Sequence, residues 1–134
     1  MRMRSGGMKA LMIVGFALAL GGCQSVPKGN WRIETGRARL TDDMGEPRTR
    51  IEAIALAQRD ARLKLLHYVE AMPAGESKLV GDLMAQDVMI ATRLRSLILS
   101  ARQIATRYPK DDTVAVKMGI NLDDVLQIAG EAKR

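Results

Sequence analysis

The sequence contains one thiol and one imidazole, Cys23 and His67, and these are its most reactive side chains. A nucleophilic or metal-binding site needs a further group beside them, such as a base or a second soft ligand. His67 falls on the polar side of a predicted helix, and the sequence has no other histidine or cysteine to complete a site. We therefore interpret His67 as a solvated surface residue and expect no bound metal and no cofactor.

Three pairs of adjacent aspartates, starting at Asp42, Asp111 and Asp123, are the next candidates for chemistry. Adjacent side chains point in different directions, so each pair suits a turn or a helix start better than an acid–base couple. The glycines form no phosphate-binding fingerprint. The sequence thus predicts a protein that is not an enzyme.

The residues before Cys23 indicate a different use for the thiol, as the acceptor of an acyl group. Three basic residues precede an apolar run over residues 10–20, and Gly21 and Gly22 follow it. This run is shorter than the roughly 20 residues of a membrane-spanning helix and has the length of the apolar part of an export signal. Small residues next to the cysteine would let the backbone enter a peptidase cleft.

The segment from Leu20 to Cys23 resembles the lipobox of bacterial lipoproteins, which implies cleavage between Gly22 and Cys23 and acylation of Cys23. The alternative is an ordinary secretory signal that ends in a cysteine. Two or more acyl chains anchor a protein stably to a bilayer. The next residue is Gln24 rather than aspartate, which in the Gram-negative pattern implies the outer membrane, with the domain facing the periplasm.

This interpretation divides the chain into three parts: a lipoprotein signal peptide (1–22), a lipidated tether (23–30) and one domain (31–134). The signal is expected to form a helix outside the fold. Without its three cations the net charge falls from +6 to +3. Only Trp31, Tyr68 and Tyr108 remain to stack on bases, so we expect membrane and protein partners but no nucleic acid.

The domain is predicted to open with a strand from Trp31 to Leu40. Trp31 and Ile33 share one side of the strand, whereas Ala38 and Leu40 have the other parity. Gly36 lies between these two groups, and a change of parity at a glycine predicts a β-bulge.

A long helix is predicted from Thr49 to Met72, because Thr49 and Glu52 match a capping box and Pro73 follows the last apolar residue. Its helical spacing predicts a core face composed of Ile51, Ile54, Ala55, Ala61, Leu65, Val69 and Met72. Leu56 and Leu63 project from the opposite side. They are either ordinary exposed residues or a subunit contact.

The second half of the domain is predicted to contain a brief strand (78–80), an amphipathic helix (84–98), a hairpin (102–108 and 113–122) and a last helix. A single helix from Ser77 to Leu99 is the competing interpretation, which Gly81 disfavours. Asp123 is expected to cap the last helix, which would end at Gly130. One face of the second hairpin strand should be buried through Val114, Val116, Met118, Ile120 and Leu122.

In chain order these elements predict an α+β fold, with a long and a shorter helix packed on one face of a small antiparallel sheet. The N-terminal strand and the C-terminal hairpin would form that sheet. Arginines of the second helix and the hairpin would make a basic patch if these two elements pack side by side, although a solvated surface is the default; they are Arg93, Arg95, Arg102 and Arg107.

The body of the chain resembles the Lpp-twenty-like envelope lipoproteins, which include the FlgP-type flagellar outer-membrane lipoproteins. The resemblance spans roughly residues 46–129 and is carried by an alanine-rich helix and a terminal hairpin, in residues 54–62, 80–87, 101–108 and 113–116. It implies a non-catalytic, self-associating structural or assembly component of the cell envelope, in some relatives a flagellar outer-membrane ring. A monomeric accessory or binding lipoprotein of an envelope or secretion complex is the alternative.

Overall fold

The computed structural model describes residues 28–131. The predicted signal peptide with its helix, the cleavage site at Gly22 and Cys23, and the first part of the tether lie outside these residues. Among the described helices, none combines the length and apolar character that crossing a bilayer requires.

The described residues form a three-stranded antiparallel sheet in the order β1-β3-β2, with four helices. The strands are β1 (Trp31–Arg39), β2 (Arg102–Lys110) and β3 (Thr113–Asn121), and the helices are α1 (Arg50–Glu70), α2 (Val80–Gln86), α3 (Val88–Leu99) and α4 (Leu122–Glu131). Helix α1 lies across β1 and β3, and the shorter helices pack on α1 and on one another. The predicted α+β class, with the N-terminal strand and the C-terminal hairpin in one sheet, is confirmed.

The capping box at the start of α1 is confirmed. The Thr49 hydroxyl accepts from the Glu52 backbone N–H at 3.1 Å, and the Glu52 carboxylate accepts from the Thr49 backbone N–H at 2.9 Å. Hydrogen bonds from the Thr49 backbone and then its side chain hold the pKa of Glu52 below its ordinary value. This contribution to stability is therefore present at neutral pH and is lost as the pH falls through the lowered pKa.

Thr49→Ala is expected to lower the free energy of unfolding by about 1 kcal/mol, because the first turn of α1 loses its side-chain acceptor. Thr49→Ser keeps a hydroxyl and serves as the control, with a change of only a few tenths of a kcal/mol. Urea denaturation of the two variants measures the difference. Equal stabilities of the alanine and serine variants would contradict the role of the cap.

The predicted β-bulge at Gly36 is wrong. β1 pairs with β3 in one continuous register from Trp31↔Asn121 to Arg39↔Thr113, so no residue is inserted. The glycine is needed instead because α1 approaches the strand closely. A Cβ atom on Gly36 would lie 1.9 Å from the carbonyl oxygen of Ala57 and 2.4 Å from the backbone nitrogen of Ala61.

The core face of α1 differs from the prediction at its N-terminal end. Ile51 is 81% exposed and Ala55 is also exposed, whereas Ala53 and Ala57 are fully buried. The buried positions form one row at i, i+4 spacing, which is one stripe of the helix surface: Ala53, Ala57, Ala61, Leu65 and Val69. Three alanines in this row let the helix backbone come within reach of Gly36.

Neither interpretation of the segment before α3 is fully correct. Leu79 makes only an isolated bridge with Pro73, and a helix starts at Val80 and includes Gly81. The break between α2 and α3 falls at Asp87, whose carboxylate accepts from the backbone N–H groups of Met89 and Ile90. Aspartate as an N-cap thus interrupts the helix where the sequence pattern looked continuous.

The hairpin prediction is confirmed, since β2 and β3 pair antiparallel across the turn at Asp111 and Asp112. The inward residues of β3 and the first residue of α4 are all at least 91% buried: Val114, Val116, Met118, Ile120 and Leu122.

The predicted cap of α4 at Asp123 is wrong. The Asn121 side chain accepts from the Asp123 backbone N–H at 2.8 Å, and the helix continues past Gly130.

The outer edge of β1 is covered by α1 side chains. Lys64 Nζ donates to the Thr35 carbonyl at 2.7 Å, and the Asp60 carboxylate accepts from the Arg37 backbone N–H at 3.0 Å. These two side chains also form an i, i+4 ion pair at 3.4 Å. Backbone groups that would otherwise invite another strand are thereby occupied.

Candidate interaction site

Those of the reactive side chains considered first that lie within residues 28–131 do not come together in one site. His67 is exposed on α1. Asp42 accepts from the backbone N–H groups of Glu46 and Met44, and these bonds lower the pKa of its carboxyl group below the ordinary value. Within residues 28–131 there is no cluster of three histidine, cysteine or acidic side chains that could hold a metal ion. The candidate site is the exposed apolar surface on the helical side of the domain.

An apolar groove of about 310 Å³ lies between α1 and α3. Leu63 and Leu66 enter it from α1, and Ile98 and Leu99 from α3. Leu63 is 46% exposed and Leu99 is 68% exposed, so both offer apolar surface to a partner. We call this feature the α1–α3 groove.

Leu56 lies beside the groove rather than inside it. It lines a neighbouring, more open depression of about 410 Å³ with Ala55 and Glu52, and Arg59 lines both features. The two leucines singled out in the sequence are therefore brought together on one continuous surface. Both stand opposite the buried row of α1, at 37% and 46% exposure, so neither is needed to fill the core.

Leu99 belongs to the same surface but was missed in the sequence. On α3, residues 88, 92, 95 and 99 follow helical spacing and form a stripe beside the buried residues of this helix. Val88, at the start of the stripe, is also exposed. That pattern is visible in the sequence. What places Leu99 next to Leu63 is the packing of α3 on α1, which the pattern does not specify.

Three arginines surround the apolar floor of the groove: Arg59, Arg62 and Arg95. The Nε atom of Arg62 is buried and has no hydrogen-bond partner among the described residues. An unpaired buried donor is costly, so a partner that turned the Arg62 side chain outward to an acceptor would gain a hydrogen bond. The groove therefore suits an apolar side chain with an oxygen acceptor beside it.

The basic patch considered in the sequence does not form. Arg93 pairs with Glu131 on α4, and Arg95 lines the groove. Arg102 and Arg107 lie on β2, opposite Gly119 and Ala115, and thus on the sheet face that points away from α1.

No protein-family model matches this chain, and comparisons with curated proteins and with solved structures likewise gave no match.

Proposed function

We propose that this protein is a non-catalytic outer-membrane lipoprotein, anchored through acylated Cys23, that self-associates as a structural or assembly component of the cell envelope. A flagellar outer-membrane ring is one setting that the family resemblance suggests. The export-type segment before Cys23 supports the anchor. The observation that carries self-association is the exposed apolar surface of the α1–α3 groove with Leu56 beside it.

Burial of this surface is the physical reason to expect association. Leucine side chains removed from water contribute roughly 1.5–3 kcal/mol each. A two-fold contact would use the same surface on both copies, so each exposed leucine counts twice. In such a contact Leu63 and Leu99 of one copy can meet the same residues of the other.

The alternative function is that of an accessory lipoprotein whose groove receives a different protein. The specific observation in its favour is the partnerless Nε of Arg62 at the groove, which suits a segment carrying a carbonyl or carboxylate oxygen. Sedimentation of the full chain in mild detergent separates the two functions. A mass of several copies that persists on dilution supports self-association, and a single copy at high concentration supports the accessory function.

The anchor has a direct test. Cys23→Ser in the native host is expected to leave the chain unacylated, because serine lacks the soft nucleophile, and to move it from the membrane fraction into the soluble fraction or block its processing. Ser25→Ala, two residues away, is the matched control and should remain acylated. Mass spectrometry and fractionation measure both. A wild-type protein with unmodified Cys23 and residues 1–22 still attached would contradict the proposal.

A further inference from the structure

The sheet has a second face, pointing away from α1, that the proposed self-association does not use. Pairing in β1 and β3 puts Ile33 opposite Gly119 and Arg37 opposite Ala115 on this face, while Gly36 and Val116 point toward α1. The same pairing in β2 adds Arg102, Arg107 and Lys110 to it. We call this surface the outer sheet face.

Charge is strongly segregated on the outer sheet face. Residues 28–131 contain sixteen basic and fifteen acidic side chains. By the strand register, six of the basic residues and none of the acidic ones project from this face: Arg37, Arg39, Arg102, Arg107, Lys110 and Lys117. The rest of the described domain, with ten basic and fifteen acidic residues, is net negative. The outer sheet face is therefore strongly positive and the rest of the domain negative, although the overall charge of the domain is small.

All six cations are exposed, whereas the small residues between them are buried, including Ala105, Ala115 and Gly119. Because adjacent strands are about 4.8 Å apart, Arg37 and Arg107 stand about 10 Å from each other across Ala115. Asp111 and Asp112 lie in the hairpin turn at this end of the sheet, and the Asp60 carboxylate of α1 reaches the Arg37 backbone N–H at the sheet edge. Such an array repels itself and favours a partner that presents many anions in one plane.

Arg32 is a cation of the same sheet that makes its contacts within the fold. It projects toward α1, pairs with Glu34 at 2.6 Å and stacks over the ring of Tyr68 at 4.1 Å. On the outer sheet face, by contrast, no carboxylate of the strands projects beside Arg37, Arg39 or Lys117, and the Asp60 carboxylate of α1 meets only the backbone N–H of Arg37 at the sheet edge. Internal pairing thus accounts for the inward cation, whereas Arg37, Arg39 and Lys117 have no such pairing with a neighbouring strand residue.

We propose that the outer sheet face docks on the anionic lipid headgroups of the membrane that holds the anchor. This inference rests on the proposed lipid anchor. Seven residues separate Cys23 from Trp31, and they span at most about 25 Å, so β1 starts next to the bilayer. Each basic residue near an anionic lipid surface contributes about 1 kcal/mol, and six of them on a flat sheet can engage headgroups together.

Trp31 adds a second feature suited to a membrane interface. It starts β1 on the outer sheet face and its ring is partly exposed, whereas its indole Nε1 is buried and has no hydrogen-bond partner among the described residues. Tryptophan is favoured at headgroup level because its ring is apolar and its N–H is polar. Docking through this face leaves the α1–α3 groove on the opposite side, directed away from the bilayer and open to another copy.

Trp31 is the single tryptophan of the chain and reports docking directly. The full-length protein is purified from membranes and reconstituted at low density in vesicles whose phosphatidylcholine carries a headgroup nitroxide, with or without 30% phosphatidylglycerol. We expect quenching of Trp31 fluorescence only in the phosphatidylglycerol vesicles. This quenching should disappear in 0.5 M salt, where the screening length is only a few ångströms. Mass spectrometry of the same sample reports acylation of Cys23 independently, so a failed anchor and failed docking are distinguishable.

The variant Arg37→Gln/Arg39→Gln/Lys117→Gln removes three exposed charges from the face and should lower the ratio of docked to undocked protein roughly 100-fold. Arg50→Gln/Lys78→Gln/Arg93→Gln removes the same number of exposed charges elsewhere in the domain, outside the α1–α3 groove, and should leave quenching unchanged. Equal quenching with and without phosphatidylglycerol, unchanged quenching in the first variant, or an equal loss in the second would overturn the proposal. Binding of DNA by this face without vesicle docking would overturn it as well.

Discussion

Gly36→Ala is expected to destabilise the domain by at least about 3 kcal/mol, which is a large part of the 5–15 kcal/mol that holds a typical domain folded. The added methyl group would lie 1.9 Å from the Ala57 carbonyl oxygen and 2.4 Å from the Ala61 nitrogen. Both contacts are with backbone, so no rotamer change can relieve them. Helix α1 must move off the sheet, which opens the core along its buried row. Chemical denaturation monitored by circular dichroism measures the loss.

Gly130→Ala is the matched control, because a Cβ atom there has no neighbour within 4 Å and the glycine lies inside helix α4. Alanine should be neutral or stabilise the domain by up to about 1 kcal/mol. Ala57→Gly combined with Gly36→Ala should not restore stability, since the clashing atom belongs to the backbone of residue 57. A Gly36→Ala protein as stable as wild type would show that α1 and β1 are farther apart than the structure has them.

The error at Gly36 shows what a local pattern cannot reveal about a strand. The apolar residues Trp31 and Ile33 suggested that their side of β1 was buried, so a bulge was needed to bring Ala38 and Leu40 to the same side. In the structure Ala38 and Leu40 pack on the core, and Ile33 lies on the outer sheet face beside Ile104 and Gly119. Because both faces carry apolar residues, parity alone was ambiguous.

The elements with local chemical signals were predicted well. The capping box at Thr49 fixed the start of α1, and the alternation of β3 identified its buried side. The break at Asp87 was missed, since valine follows it and the apolar spacing runs on. Start signals made by one capping side chain are weak in a sequence, whereas long periodic segments are strong.

The candidate surfaces were only partly visible in the sequence. Periodicity singled out Leu56 and Leu63, since both lie opposite the buried row of α1. Leu99 and the groove arginines depend on how α3 packs against α1. The outer sheet face depends on the register between distant strands: Arg37 and Arg107 are 70 positions apart and are related only through Ala115 between them. No local pattern encodes that relation.

Leu56→Glu/Leu63→Glu is expected to dissociate the proposed assembly into single copies while leaving the fold intact. Each substitution replaces apolar contact surface by a charge that would have to be desolvated in the interface. Loss of two leucine contacts at about 1.5 kcal/mol or more each corresponds to a dissociation constant raised at least 100-fold. Both side chains are partly exposed and stand away from the core, so the thermal unfolding midpoint should change little. Sedimentation at several concentrations measures the mass.

Ile51→Glu is the control for this variant, because it puts one of the two added negative charges on the same helix at a residue that is 81% exposed and lines neither the groove nor its neighbouring depression. Its assembly should match that of the wild type. If the double variant keeps its full mass, the copies meet through another surface and the contact proposed at the α1–α3 groove is wrong. If Ile51→Glu dissolves the assembly equally, added negative charge is the cause, and the groove again loses its role.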